Sequence, residues 1–272
     1  MSERATPEAS EIVLITGAAG TIGSMLRRAL ARPGRRLRLL DVAVQEPLAP
    51  NEDAELVVGS FTDASVMADA CRDVDAIVHF GGLSTKDFEW NEFLDVNING
   101  TYVVLEAARI AGVTRVVYAS SNHAVGFQPF DRETLVPDYV FPRPDTFYGV
   151  SKVASESLGS LYHDRYGLDV ICLRIGTYCE RPVNYRQLWS WLSPGDCARL
   201  VEAAMTTPRP GCRVVWGVSA NRRAAVTLDE GHAIGYVPLD DADVYADEIA
   251  ANGDDFGRDD PPLIGGPYTL PE

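Results

Sequence analysis

Short runs rich in Val and Ile alternate with longer amphipathic stretches through the first two-thirds of the 272-residue chain, and this rhythm is the strongest constraint on its fold. The runs lie at 12–17 (IVLITG), 37–42 (LRLLDV), 55–60 (ELVVGS), 76–82 (AIVHFGG), 115–121 (RVVYASS) and 169–176 (DVICLRIG). Several are continuous rather than alternating, as strands buried on both faces are. Helices are expected near 21–32, 63–72, 90–111 and 146–166. A βαβα succession of this kind predicts an α/β fold: a Rossmann-type doubly wound parallel sheet with helices on both faces.

After Gly176 the texture changes. A loop-like stretch (TYCERPVNYRQLWSW) leads to a helix expected near 195–206 and a strand at 213–219, and the end is rich in Pro, Gly and acid. These residues look too few for a core of their own. The expected organisation is a flexible tail over 1–10, a dinucleotide-binding core over 11–176, and a small substrate-covering lobe with an irregular tail over 177–272, packed on the same domain.

The first run flows directly into Gly17-Ala-Ala-Gly20-Thr21-Ile22-Gly23, a GxxGxxG pattern between strand and helix. Gly17 suits a tight turn, Gly20 lets the backbone approach a pyrophosphate, and Gly23 lets the helix sit close to the strand; the helix N-terminus then offers free N–H groups to phosphate. Three glycines alone make only a glycine-rich turn. Here an acid, Asp41, also stands at the end of the second strand. A carboxylate there accepts hydrogen bonds from ribose hydroxyls and repels a 2′-phosphate, so it favours NAD over NADP. The competing role for Asp41 is a turn cap.

Tyr148-Gly-Val-Ser-Lys152 is YxxxK, which puts Lys152 beside the Tyr148 hydroxyl on one helix face. A neighbouring cation and a positive nicotinamide ring are expected to lower the phenol pKa, making Tyr148 a base. The pattern is common by chance. It gains weight because, of the 24 basic residues, only Lys86 and Lys152 are lysines. Ser121 ends the 115–121 run, where α/β sheets bind ligands, and could hold a reacting oxygen; the alternative is a structural Ser capping the loop.

The net charge of −15 argues against nucleic acid and membrane as partners. The five cysteines form no CxxC pair and the four histidines are scattered, so neither a disulfide framework nor a metal site is expected, and a cytoplasmic setting fits. No signal segment or membrane-length apolar stretch is seen.

TGAAGTIG, HFGG, NING, SSNH and YGVSK, in this order and spacing, resemble the extended short-chain dehydrogenase/reductase family over roughly residues 11–250. Within it, SSNHAVGF, RIGTYCERPVNYR and VVWGVSAN resemble the uronate dehydrogenases. The resemblance implies oxidation at C1 of D-galacturonate or D-glucuronate to the aldarolactone, with NAD taking the hydride; a small-molecule sugar acid and a homo-oligomer are the expected partners. It also implies the site. Ser121, Tyr148 and Lys152 would be the catalytic triad, with Asn97 positioning Lys152 through its main chain and a water. Phe80, Gly81, Gly82 and Ile175 would run along the cofactor, with Ser60 and Phe61 near adenine. Ser84, Asn122, His123 and Thr177 would touch the sugar, and Arg186 would clamp its C6 carboxylate.

Two departures from the family pattern stand out: Thr177 replaces Ser after RIG, and Ser60-Phe61 replaces an Asp-Leu pair. Arg174 and Arg181 are rival carboxylate ligands, Arg174 being the better candidate for an internal ion pair. A local Arg can serve an anionic substrate despite the acidic surface, because salt screens distant charge within about 8–10 Å. Two other activities remain open: a nucleotide-sugar epimerase or dehydratase (or another sugar dehydrogenase), for which no basic diphosphate site is evident, and a non-catalytic NAD-sensing regulator, disfavoured by the intact Tyr/Lys pair.

Overall fold

In the computed structural model, described here for residues 11–84, 88–130, 134–252 and 262–270, the expected rhythm becomes a single parallel sheet. The N-terminal tail expected over 1–10 lies outside the described residues. In chain order the elements are β1 (Glu11–Thr16), α1 (Thr21–Ala29), β2 (Arg35–Asp41), β3 (Ala54–Val58), α2 (Ala64–Ala70) and β4 (Ala76–His79). A continuous helical stretch follows: α3 (Trp90–Glu92), a π-helical segment (Phe93–Asn99) and α4 (Gly100–Ala111). Next come β5 (Arg115–Ser121), a 3-10 turn (Asn122–Val125), α5 (Phe147–Tyr166), β6 (Asp169–Ile175), β7 (Thr177–Tyr178), α6 (Gln187–Ser190) and β8 (Trp191–Leu192). The remainder holds α7 (Pro194–Thr206), β9 (Cys212–Gly217), α8 (Asp229–Ala233), α9 (Ala246–Ala251) and short 3-10 turns at Ala242–Tyr245 and Gly266–Thr269.

The seven strands run β3-β2-β1-β4-β5-β6-β9, every neighbouring pair parallel. The strand order reverses between β1 and β4, which opens a crevice at their C-terminal ends, where open α/β sheets bind ligands. Side chains alternate across the sheet. Val13, Ile15, Leu39 and Ile171 pack with Leu26 of α1 and Leu200 of α7 on one face. Leu14, Leu40, Ile77 and Val170 pack with Met67 of α2, Val104 of α4 and Tyr162 of α5 on the other. Both layers are fully apolar at the centre, which explains why these strands read as continuous runs.

The boundary expected at residue 176 does not divide the molecule. β9 pairs with β6 and completes the sheet, and α7 supplies Leu200, Val201 and Ala204 to the main core. The physical reason is the edge: without β9, β6 would present a row of unpaired backbone groups. What covers the crevice comes from smaller pieces. Trp189, Val218, Val226 and Ile264 cluster with Val125, while Leu188 and Trp191 pack on Ala242 and Ile249. The short β7–β8 pairing, α6, α8 and α9 carry no strong period and are absent from the sequence reading.

Candidate active site

The crevice at the switch point is a cleft of about 630 Å³ that begins at the turn after β1 and ends under the 3-10 turn near the C-terminus. At its first end, Gly17 has φ +72°, and a Cβ there would lie 2.6 Å from the Gly81 backbone nitrogen. A Cβ on Gly23 would sit 2.1 Å from the Gly17 carbonyl oxygen. These glycines let the β1 turn, the β4 turn and α1 close on one another. Gly20 is the N-cap of α1, with no side-chain cap and no acid in the first turn, so the amide N–H groups of that turn face the cleft uncapped. Thr21, Ile22 and Phe80 line the same end. The arrangement fits a dinucleotide: backbone donors for a diphosphate, with no side chain in their way.

Asp41 ends β2 and accepts from the Ala19 amide at 2.9 Å through one carboxylate oxygen and from the Ala43 amide at 2.9 Å through the other. It therefore ties the glycine turn to β2, the capping role weighed against ribose recognition, while lying next to the turn where a ribose would sit. Ser60 and Phe61 do not line the cleft. The Phe61 ring is turned inward beneath Gly81 and Gly100, edge-on to His79 with centroids 5.0 Å apart, and Ser60 bonds Thr62 at 2.7 Å. The large apolar ring is thus placed under the β4 turn, which leaves backbone rather than the ring for any adenine contact from this pair.

The second end carries side chains. Ser121 closes β5, and its hydroxyl accepts from the His123 amide at 3.2 Å. Thr146 caps α5 by accepting from the Gly149 amide at 3.0 Å, which starts the helix one residue before Tyr148. One turn later Lys152 is buried, with Nζ 5.4 Å from the centroid of the Tyr148 ring. Nζ donates to the Ala119 carbonyl at 2.7 Å and lies 4.9 Å from the centre of the Tyr118 ring.

Burial dominates the electrostatics of this pair. Burial pushes the Tyr148 phenol up to about 12, partly offset by its hydrogen bond with Ser121. Burial also draws Lys152 down to about 8, partly offset by the Glu156 carboxylate. The direct bonds of Asn97 run to the turn after β4 and to α5. Asn97 holds Leu83 by two hydrogen bonds, 2.8 Å from the amide and 3.0 Å to the carbonyl, and donates to Ser151 at 2.9 Å. Its own carbonyl accepts from the hydroxyls of Thr101 and Ser155. Asn97 thus fixes the turn after β4, including Gly82 and Ser84, against α5.

Arg186 precedes α6, is 6% exposed, and lies over the Trp189 ring at 5.3 Å. With its amide oriented to satisfy both neighbours, Asn122 donates to the Ile175 carbonyl at 3.2 Å and accepts from Arg186 Nη2 at 2.8 Å. Thr177 lines the cleft, with its hydroxyl on Ser190 at 2.9 Å. The rivals are committed elsewhere. Arg174 forms a buried bidentate pair with Glu156, and exposed Arg181 pairs with Glu248. Ser84, His123 and Ile175 complete the expected wall.

Sequence reasoning missed Tyr268, whose ring meets His123 at 4.8 Å, and the buried Asp145 that holds His123. Nothing in the PYTL context of Tyr268 distinguishes it. Asp145, just before the α5 cap, carried a usable signal as an acid next to the YxxxK helix. Among the described residues there is no cluster fit to hold a metal and no helix long and apolar enough to cross a membrane.

Residues 13–181 match the model of the NAD dependent epimerase/dehydratase family. The chain belongs to that family. Within it, the chain is similar to the uronate dehydrogenase of Pseudomonas putida, 38% identical over 263 residues that cover 95% of each protein. It is 42% identical to the uronate dehydrogenase of Agrobacterium fabrum over 240 residues, covering 87% of this chain and 88% of that one. The crystal structure of uronate dehydrogenase from Agrobacterium tumefaciens superposes with a TM-score of 0.88 at 36% identity, covering 97% of this chain and 98% of that one. The family membership supplies the cofactor, NAD, for which the glycine end of the cleft is shaped.

Proposed function

We propose that this chain is an NAD-dependent uronate dehydrogenase that oxidises C1 of cyclic D-galacturonate or D-glucuronate to the aldarolactone. NAD+ supplies the hydride acceptor. Tyr148 takes the proton of the C1 hydroxyl, and Ser121 holds that oxygen as the C1–H bond breaks and the C1 carbonyl forms. Lys152, kept in place by the Ala119 carbonyl, favours the phenolate; the positive charge of the cofactor supplies the rest of the lowering that a phenol near 12 requires. Asp41 would accept from the ribose hydroxyls and disfavour a 2′-phosphate.

One observation carries the substrate class: Arg186 is buried in the wall of the same cleft as Ser121 and Tyr148. A planar guanidinium fork in the cleft wall suits a carboxylate, which it can meet by two parallel hydrogen bonds. Similarity to the uronate dehydrogenases supports the same class. Asn122 and His123 then meet sugar hydroxyls, and the extra methyl of Thr177 narrows the pocket beside them. The cover built from 177–192, 218–252 and 262–270 serves as the sugar-binding part.

A reducing compartment such as the cytoplasm suits the chain, since Cys71, Cys172, Cys179, Cys197 and Cys212 are all unpaired. A homo-oligomer would cover the exposed Tyr102 and Ile110 of α4 and Tyr166 of α5. Light scattering would test the latter.

The function is tested by following NADH formation with galacturonate, glucuronate, galactose, glucose and a nucleotide sugar. The uronates should be turned over fastest. Preference for a neutral aldose or a nucleotide sugar would overturn the reading.

A further inference from the structure

His123 and Asp145 form a pair that the oxidation chemistry does not require. The Asp145 carboxylate is fully buried, and its two oxygens lie 3.0 and 2.9 Å from Nδ1 of His123. Thr146 Oγ1 adds a hydrogen bond at 3.3 Å. The carboxylate cannot swing away, because two glycine backbones enclose it: a Cβ on Gly126 or on Gly265 would lie 2.0 Å from Oδ2. Gly265 is itself tied to that wall, its amide donating to the Gly126 carbonyl at 2.8 Å. The imidazole is confined as well, edge-on to Tyr148 at 5.9 Å and to Tyr268 at 4.8 Å.

We propose that Asp145 is a positioning residue for substrate recognition: it fixes His123 as the Nδ1–H tautomer, so that Nε2 meets the sugar as an acceptor for a ring hydroxyl. This rests on the reading of the cleft as a sugar-acid site. A carboxylate only accepts, so the nitrogen facing it carries the proton, and a neutral ring then has its lone pair on Nε2. His123 lines the cleft, and among the described residues its ring hydrogen bonds are both made by Nδ1, to Asp145. A bare lone pair welcomes a hydroxyl and is a poor neighbour for a carboxylate oxygen. The two ends of the sugar are thereby distinguished: Arg186 answers the carboxylate and His123 answers a hydroxyl, which sets the direction in which the ring lies over Tyr148. Asp145 does not line the cleft and acts only through His123.

Asp145→Asn reverses the polarity. The Asn amide can donate to Nδ1, which moves the ring proton to Nε2 and points an N–H where the hydroxyl expects an acceptor. The KM for galacturonate should rise about tenfold, with the KM for NAD+ unchanged within about twofold, since one hydrogen bond at the sugar is lost and the glycine end is untouched. His123→Gln supplies an acceptor near the Nε2 position with no tautomer to set. In that background Asp145→Asn should cost less than about twofold. An equal loss in both backgrounds would mean that Asp145 merely fills the space between Gly126 and Gly265, and would overturn the proposal.

The second measurement needs neither substrate nor variant: imidazole ¹⁵N shifts of the full chain, with His123 assigned. A ring protonated on Nδ1 alone in the wild-type protein supports the proposal, and a proton on Nε2, whether alone or in an imidazolium, overturns it whichever sugar is oxidised. Nδ1–H together with no uronate turnover would sink the assigned activity while leaving the Asp145–His123 pair standing.

Discussion

On the cofactor side of the cleft, Gly17, Gly20, Thr21, Ile22 and Gly23 come from one strand-turn-helix. On the proposed sugar side, Ser121, His123, Tyr148, Thr177, Arg186 and Tyr268 come from separate segments spread from β5 to the C-terminal 3-10 turn. The first side works through backbone N–H groups and the absence of side chains; the second works through side chains, each oriented by another residue. Arg186 is held by Asn122, His123 by Asp145, Lys152 by Ala119, and Thr177 by Ser190. A backbone site is specified locally and serves one cofactor. A site of supported side chains can change substrate by changing one support. Substitutions on the two sides should therefore separate cleanly, one set moving cofactor binding and the other moving sugar kinetics.

The largest effect is expected where the sides meet. Tyr148→Phe should lower kcat by about 10³-fold, since the proton acceptor is gone, while NAD+ affinity by fluorescence titration stays within about twofold. Near-normal turnover would remove Tyr148 as base. Next comes Gly23→Ala, whose Cβ would fall 2.1 Å from the Gly17 carbonyl oxygen. The turn must open, and NAD+ binding should weaken by about a hundredfold, roughly 2.7 kcal/mol, with galacturonate KM little changed at saturating NAD+. A shift confined to the sugar would break the comparison. Asp41→Ala should narrow the NAD+ over NADP+ preference by about tenfold in kcat/KM, as the acid that repels a 2′-phosphate is lost. Because Asp41 also holds the Ala19 and Ala43 amides, the KM for NAD+ should rise as well.

A smaller effect concerns stability beneath the cofactor side. Buried His79 bonds Thr16 at 2.7 Å and Thr101 at 3.3 Å, and burial draws its pKa down to about 3, with the Lys152 charge adding to the shift. The folded ring stays neutral while the unfolded one takes up a proton below about 6.5. Stability is therefore unaffected by this group above that pH and falls as pH drops from about 6.5 toward 3. One unit of acidification within the window costs about 1.4 kcal/mol, a few degrees of Tm. Melting curves of wild type and His79→Gln at pH 7.5 and 5.5 should differ by that much more in the wild type.

The sheet was legible because its strands are buried on both faces, and the continuous Val/Ile runs at 12–17, 115–121 and 169–176 report that directly. The glycine turn was legible for the same local reason. The place of β9 in the sheet was not, since RVVWGVS reads as a strand without saying which edge it joins. The inward turn of Phe61 was hidden as well, because it depends on the space left by Gly81 and Gly100, which are distant in sequence. The candidate residues Ser121, Tyr148, Lys152 and Arg186 were singled out by motif, and all four line one cleft. Their supports were not found: Asp145, Tyr268 and the Ala119 carbonyl are specified by tertiary packing, and the phenol pKa near 12 reflects a burial that no spacing reveals.

The central claim is that the sugar side selects an acid through Arg186, and the direct test is kcat/KM for galacturonate and galactose in wild type, Arg186→Ala and Arg186→Lys. Hydrogen bonds to charged groups are worth about 1.5–3 kcal/mol, so Arg186→Ala should lose at least about tenfold on galacturonate and far less on galactose. Lys should restore part of the loss, having the charge without the planar fork. An equal loss on both sugars, or none on either, would contradict the account.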